Sequence, residues 1–175
     1  DLSGDPIVIG NNGAELIFLG TNSNTAQSHN GDLYVDEIFW IPNFQKLRKV
    51  ASGMASQSHL RTTYFSTPST LAHGAYPFWS GELFNRGRSN RDERVDIDIS
   101  HQALAGGVLC PDGQWRQIVT IEDALAGGCT LFNLDQLKQE NSADDFRNLL
   151  MCEFVDDKAS VFPFEELQRC MVDAM

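Results

Sequence analysis

The sequence predicts an α/β fold in which short parallel strands are joined through a helix. An apolar run at residues 33–35 and a β-rich run at residues 59–65 are strand-sized, and amphipathic sequence lies between them. Parallel strands need a crossover of a dozen residues or more, usually a helix, and the intervening stretch is long enough for one. Hydrophobic residues make up 42% of the 175 residues, which is sufficient for a packed core.

An antiparallel hairpin is predicted ahead of this unit. Apolar strands at residues 6–10 and 15–19 flank Asn11, Asn12 and Gly13. An Asn-Gly step accepts the positive φ angles of a tight hairpin turn. Residues 20–30 have no apolar period, which predicts a polar loop.

The crossover helix is predicted to begin near Pro42, because proline lacks an N–H that the first helical turn leaves without a partner in any case. The apolar residues that follow recur at helical spacing and form one face, which consists of Phe44, Leu47, Val50 and Met54. Phe39 and Trp40, which precede the helix, are expected to pack in the core rather than to stack on nucleic-acid bases.

The remainder is predicted to contain helices and short strands. The predicted helices cover residues 75–84, 121–126, 133–140 and 142–152, with a last helix from residue 163 to the C-terminus. Strands are predicted at residues 95–99 and 115–120, and a Pro-Asp-Gly turn at 111–113 precedes the second. Asp96 and Asp98 alternate with apolar residues, which is typical of a strand with one solvent-exposed face.

The charge is distributed unevenly. The net charge is −11, and residues 101–175 contribute thirteen acidic and five basic side chains to it. One basic cluster, defined as Arg86, Arg88, Arg91 and Arg94, lies in a Gly/Ser/Asn-rich stretch with acids interspersed. Two interpretations of this arginine cluster stay open: a solvated loop, and a contact with nucleic-acid phosphates.

The composition favours a cytosolic protein. No apolar run approaches the ~20 residues of a membrane span, and the sequence has no signal-peptide pattern. The four cysteines form no Cys-x-x-Cys pair, which predicts free thiols. The four histidines lack zinc-ligand spacing. Because the chain starts at Asp1 and continues into strand-like sequence, we expect it to be a piece of a longer polypeptide.

Two acidic residues, Asp36 and Glu37, directly follow the first strand of the α/β unit. Carboxylates resist burial unless they are paired or bind a metal. In a P-loop nucleotide site, an aspartate at a strand end holds Mg²⁺, and the adjacent glutamate orients or deprotonates the attacking water. An exposed acidic turn is the alternative for this motif taken alone.

Two hydroxyl-bearing residues, Ser66 and Thr67, follow the second strand, and Pro68 ends it. Ligands of open α/β sheets bind beyond the carboxyl ends of the strands. The acidic pair and the hydroxyls are therefore expected to meet there, with Ser66 and Thr67 sensing the γ-phosphate. Taken alone, Ser-Thr-Pro is also typical of an ordinary turn, but the two motifs together predict a nucleotide site.

Four segments resemble the large terminase subunit of tailed phages. GTNSNTAQSHNGDLYVDEIFW (20–40) resembles the stretch leading into its Walker B strand, and TTYFSTPS (62–69) resembles its coupling motif. WRQIVTIED (115–123) and FRNLLMCEF (146–154) are similar to its closing segments. The subgroup that the chain resembles most is the ATPase subunit of temperate, contractile-tailed phages and prophages.

This resemblance implies a role for each matched residue. Asp36 would be the Walker B metal ligand, Glu37 the catalytic carboxylate, and Ser66 and Thr67 the coupling element, with ATP and Mg²⁺ as substrate and cofactor. It implies a partial ASCE-type P-loop NTPase sheet with flanking helices and a small helical/β linker subdomain. Residues 1–100 would form the second half of the ATPase domain, and residues 101–175 the acidic remainder with the linker subdomain.

The resemblance also implies partners and a location. Double-stranded DNA, the small terminase subunit, the portal or procapsid and other copies of the chain are the expected partners, in the cytoplasm of a bacterial host. The chain has no Gly-x-x-x-x-Gly-Lys-[Ser/Thr] loop, so we expect it to be inactive in isolation. Gln27 and Ser28 stand where many members have Arg-Gly, which leaves no arginine there.

Two alternative functions stay open. One is a metal-dependent DNA nuclease that uses Asp36 with Asp96 and Asp98. The other is a non-catalytic interaction module that uses the acidic C-terminal part as a docking surface.

Overall fold

The computed structural model describes residues 6–9, 11–20 and 29–156, which belong to two compact units, the first ending at Ser66 and the second beginning at Thr67. The described residues form a mixed α/β structure with three two-stranded sheets. The predicted α/β class is thereby confirmed. Within the same residues, no helix is both long and apolar enough to cross a membrane. The assignment of functions to residues 1–100 and 101–175 stays a prediction.

The first unit contains the predicted hairpin. Strands β1 (Ile7–Ile9) and β2 (Ala14–Leu16) pair antiparallel, and Gly13 takes a φ of 73° in the turn between them. Both strands are exposed along their whole length. Most of the predicted polar loop that follows, residues 21–28, lies outside the described residues.

A parallel pair of strands and the helix between them form the rest of the first unit. Strands β3 (Leu33–Asp36) and β4 (Thr62–Phe65) pair in parallel, with Asp36 opposite Phe65. The predicted start of the second strand at residue 59 was wrong, because a turn precedes it. Arg61 nevertheless ties the start of the pair together, since its amide donates to Asp32 Oδ1 at 2.8 Å.

Helix α1 (Phe44–Met54) starts later than predicted. Pro42 precedes the N-cap residue Asn43, whose side chain accepts a hydrogen bond from the Lys46 amide. A short 3₁₀ turn, Ile38–Trp40, takes up the residues between β3 and the helix.

The core of the first unit includes part of the predicted apolar face of α1: Phe44 and Met54 are buried, and Leu47 and Val50 are half-buried. Phe44 is 1% exposed, and its ring meets that of Tyr64 edge-on at 6.1 Å. Phe39 is buried as predicted, but the prediction for Trp40 was wrong because the residue is 53% exposed. A 3₁₀ turn directs three consecutive residues about 120° apart, so neighbouring aromatics cannot share one face.

In the second unit, the predicted helix 75–84 is divided in two. Helix α2 (Tyr76–Trp79) and helix α3 (Glu82–Asn85) are separated by Gly81, whose φ of 83° interrupts the helical path. The predicted strand at 95–99 was also wrong, because this segment pairs with no strand in the described structure. The side chain of Asn85 binds its backbone instead, at Val95 N and O, at 2.9 and 2.8 Å.

The expected alternation within residues 95–99 is nevertheless present, since Asp96 and Asp98 are exposed and the apolar residues are half-buried. A short helix, α4 (His101–Leu104), follows. Strands β5 (Val108–Leu109) and β6 (Trp115–Arg116) then pair antiparallel around the predicted turn. The predicted strand 115–120 was therefore too long, and β5 was missed.

The last described helices match their predicted positions. They are α5 (Ile121–Ala126), α6 (Leu134–Glu140) and α7 (Ala143–Asp145), the last continuing into a π-helical segment, Phe146–Leu150. Thr120, Asn133 and Ser142 cap them, each accepting a hydrogen bond from a first-turn amide. Cys110, Cys129 and Cys152 are free thiols, as predicted, and the fourth cysteine of that prediction, Cys170, lies outside the described residues. The predicted final helix lies outside the described residues.

Candidate functional site

The carboxyl ends of β3 and β4 lie at the same edge of the parallel pair. Asp36 is the last residue of β3, and it is opposite Phe65, the last residue of β4. Strand alternation turns Val35 into the core at 8% exposure and leaves the Asp36 carboxylate exposed beside it. Both sequence motifs therefore begin where their strands end, at one edge.

Glu37 has an unusual backbone conformation. Its φ of 53° and ψ of 43° lie in the left-handed region, which costs a residue with a side chain about 1–3 kcal/mol. The residues that follow fix this turn, since the Trp40 amide donates to the Glu37 carbonyl at 2.9 Å and Ile38 is buried at 3% exposure. Such strain is found mainly where surrounding contacts enforce it, and it concentrates at functional sites.

Ser66 connects the two motifs directly. Its hydroxyl donates to Glu37 Oε2 at 3.0 Å and accepts from the Phe39 amide at 3.3 Å. The amide supplies a proton to the serine oxygen, so the serine's own proton is available for the glutamate. A backbone group thus orients the hydroxyl, and the hydroxyl orients the carboxylate, across 29 positions of sequence.

Thr67 is the first residue of the second unit. It is half-buried, and Pro68 and Ser69 after it are buried. The side chain of Asn148 donates to the carbonyl oxygens of Pro68 and Ser69 at 3.1 and 3.4 Å. Sequence reasoning missed Asn148, which follows Arg147 in a segment with four apolar residues, 146–151, and has no distinguishing sequence signal.

The arginine cluster is divided between internal and exposed side chains. Arg88 is half-buried: it donates to the Phe84 carbonyl at 2.5 Å, and its guanidinium lies 3.4 Å from the centre of the Phe84 ring. Arg94 Nε donates to the Arg88 carbonyl at 3.0 Å. Arg86 and Arg91 are exposed. A contact of Arg86, Arg88 and Arg91 with phosphates stays a prediction.

Asp98 has a structural partner. Its Oδ1 accepts the Ser100 amide at 2.9 Å, just before helix α4. Hydrogen bonds from the side chain and the backbone of Ser100 lower the pKa of Asp98. In the described part of the chain, no group of three or more His, Cys, Asp or Glu side chains could hold a metal ion. The nuclease hypothesis and the interaction-module hypothesis stay predictions.

A second buried polar site was missed by sequence reasoning. The side chains of Asp112 and Arg116 are 0% and 2% exposed and form a two-pronged ion pair at 2.6 and 2.7 Å. Burial raises the pKa of the Asp112 carboxyl, but hydrogen bonds and charge from Arg116 outweigh it, so the pKa lies below its usual value. Arg116 also donates to the Trp79 and Phe78 carbonyls at 2.8 and 3.2 Å.

Comparison with known proteins identifies similar sequences. The family described as "Terminase large subunit, T4likevirus-type, N-terminal" matches residues 1–169. The "Terminase, ATPase subunit" of Escherichia phage P2 is 86% identical over 175 residues, which is 100% of this chain and 30% of that protein. The "Probable terminase, ATPase subunit" of Haemophilus phage HP1 (strain HP1c1) is 48% identical over 174 residues, 99% of this chain and 28% of that protein. The chain thus spans less than a third of the length of these curated relatives. No solved structure matches.

Proposed function

We propose a function for this chain from the premise that it belongs to the terminase large-subunit family, as the match over residues 1–169 shows. The resemblance noted in the sequence is thereby confirmed. In the proposal, the chain forms part of the ATP-hydrolysing motor subunit that packages double-stranded DNA into phage procapsids. The names of the two relatives, both ATPase subunits, support the activity. The parallel pair β3–β4 with its crossover helix supports the finer fold, part of an ASCE-type P-loop sheet.

The hydrogen bond between Ser66 and Glu37 is the observation that carries this proposal. A carboxylate that orients or deprotonates a water molecule must lie within hydrogen-bond distance of that water and must keep one orientation toward it. The strained backbone of Glu37 and the Ser66 hydroxyl both restrict that carboxylate. Glu37 is therefore the catalytic carboxylate in the proposal, and Ser66 with Thr67 forms the coupling element that responds to the γ-phosphate.

The exposed oxygen donors at this edge fit a magnesium ion. Mg²⁺ prefers oxygen ligands, keeps several waters, and is usually held by one or two carboxylates together with substrate phosphates. Asp36, exposed at the end of β3, would be the protein ligand. When bound, Mg²⁺ would neutralise charge on the phosphate oxygens.

The proposal includes the wider assembly. The small terminase subunit, the portal or procapsid, DNA and further copies of the large subunit would be its partners, in the cytoplasm of the bacterial host. Because the 175 residues include no phosphate-binding Gly-x-x-x-x-Gly-Lys-[Ser/Thr] loop, this chain alone should not turn over ATP. The activity belongs to the longer polypeptide.

The test is ATP hydrolysis by the full-length subunit carrying Glu37→Gln. Glutamine keeps the size of the side chain and an oxygen for Ser66, but cannot accept the proton, so kcat should fall about 10²–10⁴-fold. Asp32→Asn is the matched control. It neutralises an acid at the opposite end of the same strand pair and retains Oδ1 for the Arg61 amide.

Asp32→Asn should leave kcat within twofold of the wild type. Turnover by Glu37→Gln at the wild-type rate would refute the assigned role. Equal losses in both variants would show that the strand pair, rather than its carboxyl edge, is responsible.

A further inference from the structure

Asn148 is a buried amide side chain in the π-helical segment Phe146–Leu150. Its Nδ2 lies 2.7 Å from the carbonyl oxygen of Glu153, 3.1 Å from that of Pro68 and 3.4 Å from that of Ser69. An amide nitrogen carries two protons, so three acceptors compete for two donors. This side chain holds two distant chain segments together, because losing it would remove a buried hydrogen bond from the carbonyls of both segments.

The same two segments are joined a second time through their backbones. The Val155 amide donates to the Ser69 carbonyl, and the Leu71 amide donates to the Val155 carbonyl, both at 3.0 Å. Thr70 and Val155 thereby form a parallel bridge. The chain that follows the coupling element is thus anchored by one side chain and by one backbone bridge.

The local backbone is irregular where it presents this anchor. The five residues Phe146–Leu150 form a π-helical turn, in which the Met151 amide donates to the Phe146 carbonyl at 3.2 Å. Cys152, two residues later, has a φ of 58°. π-Helical turns and left-handed residues with side chains are both uncommon, and both concentrate at functional sites.

We propose that Asn148 is a positioning residue for ATP hydrolysis, acting through the coupling element. This inference rests on the proposed function. On the upstream side, Ser66 is held by Glu37 and by the Phe39 amide within the first unit. On the downstream side, Asn148 holds the carbonyls of Pro68 and Ser69 within the second unit. The coupling element is then a short span of chain fixed at each end, which can transmit a displacement only if both ends are held.

The test compares ATP hydrolysis by full-length subunits carrying Asn148→Ala, Ser66→Ala or both. Asn148→Ala should lower kcat about tenfold or more, because small misplacements of a catalytic constellation have effects of up to about 100-fold. The KM for ATP should stay within twofold. If Asn148 acts through the coupling element, the double variant should lose less than the product of the two single losses.

Asn141→Ala is the matched control. Asn141 Nδ2 also donates to a backbone carbonyl, that of Leu137 at 2.8 Å. This bond is local, because both residues belong to the last turn of helix α6 and its cap. The kcat of Asn141→Ala should stay within twofold, and its effect should multiply with that of Ser66→Ala. Val155→Pro supplies a second perturbation of the anchor, because proline lacks the amide that donates to Ser69. Val155 is 41% exposed, so this substitution leaves the buried core unchanged.

Val155→Pro should reproduce the kcat loss with the KM for ATP unchanged, and it decides the matter if Asn148→Ala does not fold. A lowered melting temperature with wild-type kcat per folded molecule, in either variant, would overturn the proposal and leave Asn148 a purely structural residue. Wild-type turnover by Glu37→Gln would instead overturn the proposed function itself. Inactive Glu37→Gln together with normal Asn148→Ala would overturn this inference alone.

Discussion

Replacing Arg116 by methionine is expected to destabilise the second unit by about 3–5 kcal/mol, the usual effect of removing one partner from a buried ion pair. The substitution keeps a long unbranched side chain, so the packed stem is largely retained while the guanidinium is lost. The Asp112 carboxylate would then remain at 0% side-chain exposure with only backbone amides as donors, among them that of Gln114 at 3.2 Å.

The structure places this magnitude well above that of a surface pair. An exposed ion pair contributes about 0–1 kcal/mol, since water screens both charges. Here the two side chains are almost fully buried, and the guanidinium makes four hydrogen bonds between 2.6 and 3.2 Å. Two of these bonds reach the Phe78 and Trp79 carbonyls at the end of helix α2 and would also be lost.

Native-state hydrogen exchange on the full-length protein measures this effect. The Cys110 amide, which donates to Gln114 at 2.8 Å in the β5–β6 hairpin, reports local opening. A loss of about 3–5 kcal/mol corresponds to exchange faster by roughly two to four orders of magnitude, since every 1.4 kcal/mol is a factor of ten.

The double variant Asp112→Leu, Arg116→Met is the control for the stranded charge. It removes both ions from the interior, so it should be less destabilised than Arg116→Met alone. Exchange that accelerates less than tenfold in Arg116→Met would refute the argument from burial. A double variant that is as unstable as the single one would refute the argument from an unpaired carboxylate.

Two further predictions concern pH and backbone conformation. Hydrogen bonds from Thr120, with a smaller contribution from His101, lower the pKa of Asp123 to about 2. The ionised Asp123 carboxylate therefore stabilises the folded state fully above about pH 4, and this stabilisation is lost as the pH falls toward 2. Asp123→Asn should therefore flatten the acid limb of the melting temperature between pH 4 and 2, and an unchanged limb would contradict this. Gly81→Ala should lower the free energy of unfolding by about 1–3 kcal/mol in urea titrations. At this φ of 83°, the Cβ of the new alanine would also lie 2.7 Å from Ile97 Cδ1. An unchanged free energy of unfolding would show that alanine is not strained at this position.

Local patterns predicted several elements because their causes are local. The period of Phe44, Leu47, Val50 and Met54 identified helix α1, since an amphipathic face needs only residues three or four positions apart. The helices predicted at residues 121–126 and 133–140 also agree with the structure, where Thr120 and Asn133 cap their first turns.

Some predicted strands and helices were wrong because a tertiary contact or a special backbone conformation replaced the expected structure. Residues 95–99 have the alternation of a strand, but the side chain of Asn85 binds Val95 and supplies the partner that a neighbouring strand would have provided. The long predicted helix near residue 80 failed at Gly81 for a different reason, because a glycine can leave the helical region without steric cost.

The candidate site was predicted in outline for a topological reason. Two strands joined by one helix lie parallel, so the acids after β3 and the hydroxyls after β4 must appear at the same edge. The backbone of Glu37 was not predictable, because nothing in an Asp-Glu sequence favours a left-handed glutamate. The surrounding turn, with Ile38 and Phe39 buried, enforces it.

The sequence by itself determined the α/β pattern, the family and the residue types at the strand ends, because these depend on composition, periodicity and motif. Only the tertiary structure decided that Ser66 binds Glu37, that Asn148 holds Pro68, and that Arg116 is buried with Asp112. The first two contacts join residues 29 and 80 positions apart. Such contacts are set by how the whole chain packs and by which polar groups would otherwise be buried alone, and neither quantity is a property of any local stretch of sequence.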